Sequence, residues 1–198
     1  MKYLLFILLF PLVLVSQERY AVKSDSLILL LSEEFASSVV GVVELTGNND
    51  GTSIEEMQRV GGGRKGEPYC YYYQYWAFYK AKYHLDNQCR TFEIPIPKGG
   101  LAQLPFNYAK KHGQKTDYFA EKHDLIVWKK ANSWSGHIER VKEVLTGGWV
   151  RTYAGNTSNG LTGSQREGNG IFIRKRNIKH PLSRILLIRG IVGYVSKL

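Results

Sequence analysis

Four strand-like runs follow one another between residues 123 and 178 with no helix-length segment among them. They are HDLIVWKK (123–130), SGHIERVKEVL (135–145), GWVRTYAGNTS (148–158) and GIFIRKRNI (170–178). Each contains β-branched or aromatic residues and is bounded by Gly, Asn or Ser, which is how strands joined by short connections read. Short connections allow only antiparallel pairing, because a parallel pair needs a crossover of a dozen residues or more. The second half of the chain is therefore expected to be an antiparallel sheet.

The first half reads differently. SDSLILLLSEEFASSVVGVVE (24–44) is weakly amphipathic with helical spacing, and LTGNNDGT (45–52) is a turn dense in Gly, Asn and Asp. Thr52 and Ser53 precede Glu55 and Glu56 at the three-residue spacing of a capping box, which predicts a helix over residues 53–60 ending at the glycines that follow. GGGRKGEP (61–68) is a loop, and Pro68 suits the approach to a new helix beginning near Cys70. No breaker interrupts residues 70–83, and Tyr71, Tyr75, Phe78 and Tyr79 fall on one side at helical spacing. Helices first and strands afterwards give an α+β class, with N-terminal helices packed on a C-terminal antiparallel sheet. The 198 residues, 43% hydrophobic, suit one compact unit. RILLIRGIVGYVSKL (184–198) is a further strand or helix, too short and too charged to span a membrane.

MKYLLFILLFPLVLVS (1–16) has one early lysine and then an apolar run shorter than the ~20 residues of a spanning helix. It reads as a signal peptide with an imperfect cleavage site, since Leu14 is bulky where a small residue is preferred. The expected localisation is secreted or periplasmic. The net charge is +10. Outside the cytoplasm a basic chain meets cell-wall polymers and anionic lipid rather than nucleic acid, although dispersed lysines also simply aid solubility.

Cys70 admits three roles: a nucleophile at a helix start, half of a disulfide with Cys89, or a small apolar core residue. A helix N-terminus and a neighbouring imidazole both favour a thiolate. Of the five histidines, His137 stands at a strand start after a glycine, where it could face a helix packed across the sheet. An ordinary strand histidine fits that spacing as well. A third group must hold the imidazole, and Asn156 lies near the end of the next strand run, though Gly155-Asn156 also suits a turn. Trp134 and Trp149 flank the His137 strand and either line a groove or fill the core, burial being expected for at least one. Arg166 and Glu167 suit a loop ion pair. The histidines are scattered and no C-x-x-C pair occurs, so no metal and no cofactor is expected.

The ordered set NNDG, KGEPYC, HDLIVW, SGHIERV, GWVRTYAGNTS and SQREGNGIFIRKR resembles the CHAP family of cysteine, histidine-dependent amidohydrolases and peptidases over residues 45–178. That resemblance implies a papain-like (CHAP/NlpC-type) fold. It implies the division 1–16 signal peptide, 17–44 N-terminal helical segment and 45–198 cysteine hydrolase domain. It also implies an exported hydrolase of peptidoglycan amide or peptide bonds, with Cys70 as nucleophile, His137 as general base and then acid, and Asn156 as the orienting amide. Two features depart from the family: Ala154 stands where it has a glutamate two residues before Asn156, and YYYQYW follows Cys70 where small and apolar residues are usual. Those departures leave open a catalytically inactive cell-wall-binding module.

Overall fold

A computed structural model of the chain describes residues 17–87, 91–159 and 168–196. Residues 1–16, expected to be a signal peptide, and Cys89, Arg166 and Glu167 lie outside the described residues. In chain order the elements are β1 (Arg19–Ser24), α1 (Ser26–Ser38), α2 (Thr52–Gly61), α3 (Cys70–Asp86), α4 (Leu104–His112), β2 (Gln114–Thr116), β3 (Leu125–Lys130), β4 (Gly136–Val144), β5 (Trp149–Thr157), β6 (Gly170–Asn177) and β7 (Leu186–Ser196). The class is α+β. The sheet order is β2-β1-β7-β3-β4-β5-β6.

Two expectations change here. Residues 19–24 are a strand rather than part of a helical segment, and they pair in parallel with β7, Arg19 opposite Ile191 through Ser24 opposite Ser196. The sheet is therefore mixed rather than purely antiparallel. The four runs of the second half do form the antiparallel succession β3 to β6. The chain's last strand enters the middle of the sheet, between β1 and β3. No helix among the described residues is long and apolar enough to cross a membrane.

The helix ends follow local chemistry. The Asp25 side chain accepts from Leu27 N–H at 2.8 Å and starts α1. The start of α2 uses half of the expected box: Glu55 accepts from the N–H of Gly51, the residue before the helix, at 3.2 Å. The left-handed Gly62 (φ 86°) ends α2. The last turn of α4 carries Lys110, Lys111 and His112 against the negative end of the helix dipole.

Burial around the central helix α3 is nearly complete from Cys70 to Phe78, so it lacks the one-sided stripe that Tyr71, Tyr75, Phe78 and Tyr79 suggest. Tyr71, Tyr75 and Phe78 pack with Leu125, Val127, Ile138 and Val192 of the sheet. Tyr73, Trp76 and Ala77 pack with Ile54 and Met57 of α2 and with Tyr153 and Ile171. Tyr79 is exposed. The opposite sheet face is also covered, by Ile126, Trp128, Val141, Val150 and Ile191 with Tyr118 and Leu182 against them. Burial on both sides is why β3 reads as the uninterrupted apolar run LIVW.

Candidate active site

The three tyrosines after Cys70 are turned into the protein and away from chemistry. Tyr71 donates to Pro97 C=O at 2.6 Å, Tyr73 to Ala36 C=O at 2.7 Å, and Tyr72 to the Glu67 carboxylate. A Cβ on Gly61, Gly63 or Gly100 would fall 2.2–2.3 Å from the Tyr72 side chain, so these glycines make room for one ring. The aromatic run is thus the helix's packing surface on several sides at once.

Cys70 is the first residue of α3, and its thiol is free. Tyr73 N–H takes the first carbonyl of the helix, that of Tyr69, at 2.9 Å, so the N–H of Cys70 has no helical acceptor. Cys70, His137 and Asn156 line one cleft of about 780 Å³. Two other hollows, one by Trp149 and Lys175 and one by Trp134 and Gln103, hold neither a thiol nor an imidazole. Both tryptophans are substantially exposed, Trp134 at 74% and Trp149 at 41%, so neither is the core residue expected of one of them.

His137 is the second residue of β4. It lies opposite Trp128, whose ring is 6.0 Å away, on the sheet face opposite Ile138. Gly136 before it is required: a Cβ there would sit 2.1 Å from the Trp128 carbonyl oxygen. The ring's Nε2 hydrogen-bonds to Glu139 Oε1 at 2.9 Å, and the ring also meets the Cys70 side chain. Burial would lower the His137 pKa. Contact with Cys70 and then with Glu139 outweighs that and holds it at about 9.

Glu139 is the residue the sequence reading missed. It is fully buried and accepts from Thr152 Oγ1 at 2.5 Å and from Arg176 Nη2 at 2.7 Å, as well as meeting His137. Burial would push its carboxyl up, but the Arg176 charge and then His137 bring it down to about 2. Glu139 stands directly opposite Ala154 in the β4–β5 register. An acid sits at the cross-strand partner of the position where the sequence has alanine. The signal available beforehand was His-x-Glu within one strand, since residues two apart share a face.

Asn156, read as the orienting amide, does not hold the ring. It lies at a bulge between Gly155 and Thr157 with φ 54°, and no side-chain hydrogen bond of it appears among the described residues. Bulges re-aim side chains, and this one leaves Asn156 in the wall of the cleft that Cys70 also lines. The orienting contact belongs to Glu139.

No group of three or more His, Cys, Asp or Glu side chains suited to a metal occurs among the described residues. No protein-family model matches this chain, and no significant match is found among the curated proteins or the solved structures.

The charge state of His137 gives a pH prediction. Its folded pKa, about 9, lies above the ordinary 6.5, so its contribution to stability is complete below 6.5 and is lost as pH rises through 9. Thermal melting followed from pH 6 to 10 is expected to decline on the alkaline side, and His137→Gln is expected to flatten that limb. An unchanged limb in the variant would place the transition on another group.

Proposed function

We propose that the chain is a papain-like cysteine hydrolase that cleaves amide or peptide bonds of bacterial peptidoglycan. The observation that carries this is a free thiol at a helix start and an imidazole that meets it, both lining one cleft, with a nitrogen of that imidazole held by a buried carboxylate. Nucleophile, base and orienting group in that order form the arrangement that acyl transfer requires. The resemblance of the ordered motifs and a charge of +10, suited to an anionic wall, support the choice of substrate.

In this reading the imidazolium stabilises the Cys70 thiolate, which attacks the carbonyl carbon. The developing oxyanion takes the free N–H of Cys70 at the positive end of α3. His137 passes its proton to the leaving amine, which departs and leaves a thioester on Cys70. His137 then accepts a proton from water as the water attacks the thioester, and the carboxylic acid leaves with the thiolate restored. Glu139 keeps the ring in place and stabilises its charged form throughout.

An inactive wall-binding module was suggested by Ala154 and by the tyrosine run. Glu139 opposite Ala154 and the protein-bonded tyrosine hydroxyls support the catalytic reading over it. Purified peptidoglycan incubated with the protein, with fragments identified by mass, tests the function. New amine and carboxyl ends that are absent with Cys70→Ala are expected. Equal release by that variant, or none by either protein, would overturn the reading.

A further inference from the structure

The cleft has a cationic side that the catalytic groups do not use. Arg174 and Arg176 stand two apart on β6, so both project from the same face of the strand, and both line the cleft. Their situations differ. Arg176 gives Nε and Nη2 to Glu139 and is neutralised by it. Arg174 has its backbone C=O bonded by Thr152 Oγ1 at 3.2 Å, yet its guanidinium meets no carboxylate among the described residues. Its Nε is buried with no acceptor. Partial burial and the nearby Arg176 charge lower its pKa, and the Glu139 charge offsets this only in part. Arg184 adds an exposed guanidinium to the same cleft, and Glu44 is the one acidic residue among its lining groups.

A half-buried arginine with an orphaned donor, in the cleft that holds the thiol, is satisfied by an anion arriving with the substrate. A carboxylate matches the guanidinium fork with two parallel hydrogen bonds, whereas an uncharged carboxamide offers a single weaker acceptor. We propose that Arg174 is a specificity-determining residue that receives a free carboxylate of the substrate, so that stem peptides bearing that carboxylate are cleaved in preference to their amidated forms. This rests on the hydrolase reading and adds to it the chemical class of the favoured substrate.

The test compares two synthetic stem tetrapeptides, Ala-γ-Glu-Lys-Ala with the glutamate α-carboxyl free or converted to the carboxamide. Wild type is expected to favour the acid in kcat/KM by roughly 10- to 100-fold, the range open to one buried charge-assisted contact. Arg174→Gln is expected to bring that ratio near one. Arg174→Lys, which keeps the charge and loses the fork, is expected to fall between, and it carries the test if the glutamine variant does not fold. Equal rates with wild type, or a ratio unchanged by both variants, overturns the proposal. Calorimetric titration of Cys70→Ala protein with the same peptides separates this from the catalytic reading. If wild type cleaves neither peptide while binding still prefers the acid in an Arg174-dependent way, catalysis is overturned and carboxylate recognition stands. Equal binding overturns the recognition itself.

Discussion

Glu139→Gln is expected to lower peptidoglycan turnover by up to about 10⁴-fold, the loss known when the acid that orients a catalytic imidazole becomes an amide. The glutamine keeps the shape but removes the charge that helps hold His137 protonated, so the alkaline fall of activity should also move to lower pH. Glu139→Ala is the more severe change. It strips three neighbours, His137, Thr152 and Arg176, of one shared acceptor and takes from the largely buried Arg176 charge the carboxylate that all its described bonds go to. Removing one partner of a buried pair destabilises by about 3–5 kcal/mol, which urea unfolding would read as a lower midpoint. A swap sharpens the test. Directly opposed residues have Cβ atoms about 5 Å apart, so Glu139→Ala combined with Ala154→Glu is expected to regain part of the activity lost by Glu139→Ala. If Glu139→Gln turns over peptidoglycan at the wild-type rate, Glu139 is a structural acid with no hold on the reaction.

Gly136→Ala is expected to damage the same machinery through the backbone. The added methyl would meet the Trp128 carbonyl oxygen at 2.1 Å, and a carbonyl in a sheet ladder cannot turn aside as a flexible side chain can. The start of β4 must therefore move off β3, carrying His137 with it from its place opposite Trp128. Overpacking of this kind destabilises by about 1–3 kcal/mol. Displacing a catalytic group by an ångström lowers the rate by roughly 100-fold. Melting temperature and turnover measured on one preparation would separate the two effects. A variant that melts earlier yet keeps full turnover would mean that the strand start does not fix the imidazole.

The types of most elements were readable from the chain because they depend on neighbours in sequence. The glycines at 61–63 and the approach through Pro68 bound α2 and α3, and turn residues bound β3 to β6, so their limits fall within a few residues of expectation. Cys70 at a helix start and His137 at a strand start are of this kind, and the cleft holds both. Residues 19–24 were not readable in this way. Their placement as a strand depends on β7, at the other end of the chain.

The sequence by itself determined the type of most helices and strands and put Cys70 at a helix start and His137 at a strand start, because periodicity, caps and turn residues act over a few positions. Only the tertiary structure decided which group holds His137. Asn156 and Glu139 are both plausible from the chain, and the choice depends on β4–β5 register and on the bulge at Asn156. It also decided that Arg176 is spent on Glu139 while Arg174 faces the cleft without a carboxylate among the described residues, although the two sit two residues apart on one strand. Pairing across a sheet is set by contacts among residues far apart in sequence, and a side chain's partner follows from that register rather than from its immediate neighbours.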